Sequence, residues 1–203
     1  MPFIEYNEKR VLFIHIPKTG GTTVEGWLGG LSHLHFHSVG VPAFSKCTPQ
    51  HYRMQDFRAL FGDQFFDFSF CFVRNPYDRL ESEFRMQATI QKTGFWRRHS
   101  SFSTWLDGSL EIARQNAFHL DNHLRPQWEF IGSGVRVLRL EDGLETGLAE
   151  VAAFLGEVPP ANLGKENSTS NSEIRVDWDL QDRCKIEEFY RRDFEQFGYA
   201  VIR

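Results

Sequence analysis

The feature that most limits what this chain can fold into is the stretch Val11 to Leu28, VLFIHIPKTGGTTVEGWL. Its apolar run VLFIHI has the make-up of a buried strand and is stopped by Pro17, which has no N–H to give to a sheet. Two glycines follow, and beyond them Val24, Trp27 and Leu28 fall at helical spacing. Strand, loop and helix in that order make a phosphate-binding layout, but here the lysine precedes the glycines. The nucleoside triphosphate loop GxxxxGK[ST] places it after them.

The same order recurs twice. Phe65 to Val73, FFDFSFCFV, breaks at Arg74-Asn75-Pro76 and continues as YDRLESEFRMQ, with Leu80 and Phe84 four apart. Asn75 suits a helix N-cap and Pro76 the first helical position. VRVLRL, Val135 to Leu140, alternates as a strand should and leads into the helical stripe Leu144, Leu148, Val151 and Leu155. Strands alternating with helices predict an α/β fold, a central parallel sheet flanked by helices, with ligands outside the carboxyl ends of the strands. The first two loops then open on one edge. Residues Val158 to Asn171 read as a polar loop, and LQDRCKIEEFYRRDFEQF as a closing helix with Leu180, Cys184, Phe189, Tyr190, Phe194 and Phe197 on one face and Gly198 as its stop.

A chain of 203 residues suffices for one well-buried core, so residues 1–203 are expected to form a single domain. Lys plus Arg number 23 against 27 Asp plus Glu, which excludes a nucleic-acid-coating protein and makes any basic site local. Most of the 20 phenylalanines are assigned to core packing. Cys47, Cys71 and Cys184 form no CxxC pair, so neither a disulfide framework nor a zinc knuckle is expected and a reducing compartment fits. The apolar runs fall far short of the roughly 20 residues that span a bilayer. MPFIEYNEKR has no signal-peptide pattern, and the expected location is cytoplasmic.

Gly20 and Gly21 let the backbone curl so that successive N–H groups point inward at the start of a helix, whose positive end favours an anion. Thr22 and Thr23 add hydroxyls, and Lys18 adds a point charge placed to neutralise a leaving oxygen. The competing reading is a tight turn with an ordinary surface lysine. At the second loop, Arg74 leaves a strand end and Ser82 follows on the helix roughly 9 Å along its axis, a clamp for a second phosphate. The alternative pairs Arg74 and Arg79 with Asp78 and Glu83 on a solvated helix face.

Together, FIHIPKTGGTT and FVRNPYDRLESEF resemble the PAPS-dependent sulfotransferases of the carbohydrate type, the branch that includes heparan sulfate 2-O-sulfotransferase and bacterial relatives. The resemblance extends through DNHLRPQWEFI (Asp121 to Ile131) and FYRRDFEQFGY (Phe189 to Tyr199). It implies a cosubstrate, 3′-phosphoadenosine 5′-phosphosulfate (PAPS), and a hydroxyl acceptor, carbohydrate or glycolipid, with no metal and no nucleic acid. By similarity Lys18 contacts the oxygen bridging sulfate and 5′-phosphate, Thr19, Gly20, Gly21, Thr22 and Thr23 cradle that phosphate, and Arg74 and Ser82 hold the 3′-phosphate. Transfer to an alcohol also needs a base, a role that suits histidine at neutral pH. His51, in KCTPQHYRMQDF, lies where relatives of the 2-O type carry theirs, although Tyr52 and Arg53 follow it in place of a second histidine. His123 in DNHLRPQ is the second candidate, with Arg125 and Gln127 as contacts to acceptor or cosubstrate.

In HLHFH, a strand would put His33, His35 and His37 on one face; a sheet edge beside the acceptor is favoured there over zinc, since no cysteine or acidic neighbour completes a metal site. His15 is assigned a core hydrogen bond. Lys165, in LGKENSTSN, is the residue to test for a lid over the cosubstrate. Two other readings stay open: a nucleotide kinase-like protein, and a non-catalytic binder of 3′-phosphoadenosine 5′-phosphate.

Overall fold

Four strands form one sheet in the order β1-β2-β3-β4, which is also their order along the chain. The computed structural model describes residues 1–38, 40–90, 101–161, 163 and 176–201. Their elements are β1 (Phe3–Tyr6), β2 (Lys9–Ile14), α1 (Gly21–Leu31), α2 (Met54–Phe61), β3 (Phe68–Val73), α3 (Pro76–Ile90), α4 (Phe102–Gln115), β4 (Arg136–Arg139), α5 (Leu144–Leu155), α6 (Leu180–Phe189) and α7 (Arg191–Phe197). Lys165 and the rest of its expected lid beyond Leu163 lie outside the described residues.

Contacts divide the chain into two units, Met1–Arg74 with Glu129–Asn167 and Asn75–Trp128 with Ser168–Arg203. The first holds the whole sheet. β2 pairs in parallel with β3, Ile14 opposite Cys71, and β3 in parallel with β4, Val73 opposite Arg139. All three strands therefore end on one edge, as the sequence predicts for a doubly covered parallel sheet. Val11, Leu12, Phe13 and Ile14 are all buried, because both faces are covered. One face packs Phe13, Phe70 and Phe72 against Val24 and Leu28 of α1 and Leu148, Val151 and Leu155 of α5. Each such side chain contributes about 1.5–3 kcal/mol by leaving water.

β1 is an addition to the expected sheet: it runs antiparallel to β2 through a hairpin at Asn7 and Glu8, both in the left-handed region. With no glycine in that turn, the usual hairpin signal is missing. The strand expected from Phe65 starts only at Phe68, because Phe65 and Phe66 leave the strand line for an aromatic cluster with Phe3 and Phe61. Around HLHFH the expected strand reduces to a single bridge between His35 and Phe3, and Phe36 turns left-handed.

In the second unit α3 begins as its sequence dictates. The Asn75 side chain accepts the N–H of Tyr77 at 3.0 Å, and Pro76 takes the first turn. The expected closing helix is broken at Tyr190 into α6 and α7. Tyr190 is buried and its hydroxyl donates to the carbonyl of Leu124 at 2.7 Å, which fixes it where a continuous helix would carry it onward. The inward face is Ile186, Tyr190 and Phe194, while Leu180 and Cys184 are exposed. No helix among the described residues is long and apolar enough to cross a membrane.

Candidate active site

The segment between β2 and α1 is a loop of buried and left-handed residues. Lys18 has φ 70 and Gly20 φ 87. For a lysine this conformation costs about 1–2 kcal/mol, the kind of local strain found at ligand loops. Alternating backbone hands of this kind are those by which anion-binding loops turn successive N–H groups to one side. α1 starts on Gly20 with no side-chain cap and no acidic residue in its first turn, so nothing there opposes an anion at its positive end. Gly20 lies close under Leu140 and Leu144, with room for no larger residue without a shift.

The loop residues divide their work. Thr19 is fully buried, and its hydroxyl donates to the carbonyl of Ile16 at 2.8 Å, bracing the turn. A contribution from Thr19 to a phosphate falls to its N–H. Thr22 is exposed and Thr23 half-buried at the mouth of the helix. Arg74, one residue past β3, donates from Nη1 to the carbonyl of Lys18 at 3.3 Å. The sheet register thus brings the first and second loops together, with Arg74 tied to the loop that carries Lys18.

Beneath the loop lies a polar cluster. His15 and Glu25 are both buried, and Nδ1–H of His15 donates to Oε1 of Glu25 at 2.5 Å. Gln50 donates Nε2–H to the same carboxylate, at 3.0 and 2.9 Å to its two oxygens. His37 Nε2 stands 3.3 Å from Oε2. Burial by itself would raise the Glu25 carboxyl, but the hydrogen bond and charge of His15, the Gln50 amide and His37 outweigh it and hold the group below the usual carboxylate range. On its other edge, the His15 ring packs so closely on Gly21 that a side chain there would overlap it. His51, in the short turn Pro49–His51, presents its ring edge-on to His15 with centroids 5.2 Å apart. Its Nδ1 lies 3.4 Å from the hydroxyl of Thr48, and it is buried.

The second unit holds Ser82, His123, Arg125 and Gln127. Ser82 is buried on α3. His123 pairs Nδ1 with Oε2 of Glu83 at 2.6 Å, and Gln87 donates to the other oxygen at 2.7 Å. Leu120, Asp121 and Asn122, just before it, are all left-handed. Burial lowers the nearby His119 imidazole, although the charge of Glu83 pulls it up. Arg79, which the alternative reading put on a solvated face, is buried and donates to the carbonyl of His123 at 2.7 Å. Arg125 is buried with Nε donating to Asn122, and Gln127 is fully buried with its N–H on Asp193 at 2.8 Å. Burial raises the Asp193 carboxyl, an effect opposed by the N–H groups of Gln127 and Trp128 and by Arg79.

Glu25 and Gln50 escape a motif reading, and Glu83, weighed there only as a surface partner of Arg74 or Arg79, is buried against His123. For Glu25 there is a signal: it lies four residues after Gly21 and three before Leu28, on the face of α1 that turns inward, where a charge is unexpected. Among the described residues no group of three or more His, Cys, Asp or Glu side chains is arranged to hold a metal ion.

The family model described as "Sulfotransferase family" matches residues 2–200. The chain belongs to the sulfotransferase family. It is therefore an enzyme that transfers a sulfuryl group to a hydroxyl-bearing acceptor, and sulfotransferases generally take that group from PAPS. The mostly parallel sheet and flanking helices agree with the fold of such enzymes. No curated protein and no solved structure matches the chain.

Proposed function

We propose that this sulfotransferase moves the sulfuryl group of PAPS to a hydroxyl of a carbohydrate or glycoconjugate, with His51 as the base. The observation that carries the donor reading is the loop itself: an uncapped helix start with Lys18 and Gly20 left-handed and Arg74 bound to the Lys18 carbonyl. A 5′-phosphosulfate fits such a cradle, with backbone N–H groups from Thr19 to Thr22 and the Thr23 hydroxyl around the phosphate, since the Thr23 N–H donates to the Gly20 carbonyl at 3.2 Å, and the Lys18 ammonium at the bridging oxygen. Arg74 and Ser82 are assigned to the 3′-phosphate.

In the reaction the acceptor oxygen forms a bond to sulfur as the bond from sulfur to the 5′-phosphate oxygen breaks. The acceptor proton passes to the histidine, and Lys18 offsets the charge left on the departing adenosine 3′,5′-bisphosphate. His51 is preferred over His123 because it lies in the first unit with the loop, linked to it through the His15 ring. The His123 ring is engaged with Glu83, and His123→Ala tests it as the alternative base. Residues 1–203 form one sulfotransferase domain in this proposal, since the family match runs through both units. Three cysteines not joined by a disulfide support a reducing, cytoplasmic setting.

Thermal melting with adenosine 3′,5′-bisphosphate, adenosine 5′-phosphate and magnesium ATP tests the donor site. A ligand at 100 times its Kd stabilises by about 2.7 kcal/mol, a shift of roughly 5–10 °C for a chain of this size. The expected result is a shift with the 3′-phosphorylated compound alone; a shift with magnesium ATP alone overturns the proposal. Lys18→Ala should cut turnover by orders of magnitude, and Arg74→Ala should chiefly weaken donor binding.

A further inference from the structure

Glu25 places a carboxylate inside the first unit, and three other segments converge on it. His15 reaches it from the end of β2, Gln50 from the turn that carries His51, and His37 from the segment after α1. Packing alone gives no reason for a charge there. Ionic groups in an interior lose several kcal/mol of hydration, and apolar residues of similar volume often serve stability as well or better. What the carboxylate does supply is register. It joins the residue under the Lys18 loop to the neighbour of His51, and the His15 ring touches both: Gly21 against one edge and the His51 ring, at 5.2 Å between centroids, against another.

We propose that Glu25 and His15 are positioning residues for sulfuryl transfer, holding the His51 ring in fixed relation to the loop that carries Lys18. The proposal rests on the reading of His51 as the base. Glu25 touches no reacting atom; it acts through His15 and Gln50. Since a misplacement of about 1 Å in a reacting group costs up to about 100-fold in rate, loosening this anchor affects turnover before donor binding.

Transfer to water tests this without an identified acceptor. The water oxygen bonds to sulfur, the bond to the 5′-phosphate oxygen breaks, the proton goes to His51, and sulfate and adenosine 3′,5′-bisphosphate are released. Labelled PAPS and the full chain give kcat and KM for the wild type, Glu25→Gln, His51→Ala and the double variant. For Glu25→Gln the expected outcome is a KM within about twofold of wild type and a kcat lower by about 10- to 100-fold, with little further loss when it is added to His51→Ala. An equal loss in both backgrounds marks a merely structural role and overturns the positioning proposal while leaving the base intact. A His51→Ala chain with wild-type kcat overturns the base reading itself. Histidine ring signals in NMR of the full chain with adenosine 3′,5′-bisphosphate supply a readout independent of turnover. Glu25→Gln should move the His51 signal, whereas Glu150→Gln, on an exposed pair with Arg136, should not. A His51 signal unmoved by Glu25→Gln also overturns the proposal.

Discussion

Replacing Gly21 with alanine tests the packing under the loop. A Cβ built there has three ring atoms of His15 within 2.5 Å, where ordinary contact begins near 3.4 Å. The ring cannot simply swing aside, because it is buried and held to Glu25 at 2.5 Å. If the first turn of α1 shifts instead, overpacking costs about 1–3 kcal/mol. If the ring leaves, Glu25 loses its partner in the interior, a loss of about 3–5 kcal/mol. Both routes meet near about 3 kcal/mol, which for 150–250 residues lowers Tm by roughly 6–12 °C. Urea unfolding followed by circular dichroism measures it, with Gly30→Ala on the same helix as the control. Nothing lies within 4 Å of a Cβ at Gly30, so alanine there should stabilise by about 0.5–1 kcal/mol. In a His15→Ala background the Gly21→Ala penalty should fall below about 1 kcal/mol. A Gly21→Ala midpoint equal to wild type, or the same penalty with and without the His15 ring, would refute the reasoning.

At Lys18 the backbone is left-handed, so Lys18→Gly should be about 1 kcal/mol more stable than Lys18→Ala while both lose turnover; equal unfolding midpoints would remove the strain from the account. Glu25 is held below its ordinary value, so its contribution is complete above the usual carboxylate range and is lost only as pH falls through the lowered folded value. Glu25→Gln should flatten that part of the acid limb in unfolding free energy against pH, and an unchanged slope would count against it. Asp193→Ala strands the N–H groups of Gln127 and Trp128 and should cost about 2–4 kcal/mol by urea unfolding. In a thiol titration of the native chain Cys184 should react first, with buried Cys47 and Cys71 reacting on unfolding; three equal rates would contradict the burial assigned to them.

Much of the first unit is legible in the residues. The run VLFIHI supplies a strand covered on both sides, although it stops at Ile14, three residues short of Pro17, and the helical stripes after Gly21 and after Leu140 turn toward it, because apolar periodicity is a local property. Asn75 and Pro76 fix the start of α3 for the same reason, since a cap is made by neighbours in sequence. The lysine-first loop also points to the family that the chain belongs to. Other features depend on distant partners and have no local signature. Tyr190 breaks a helix that its own sequence would continue, because its hydroxyl finds the carbonyl of Leu124. Arg79 and Gln127 look like surface or ligand groups and prove to be buried polar struts. Glu25, His15, Gln50 and His51 come from positions as far as 36 residues apart in sequence, from 15 to 51. Only the parallel register of the sheet and the path of the chain back to its carboxyl edge bring them into one cluster, and the interior stabilises the charge only when all of its donors have arrived.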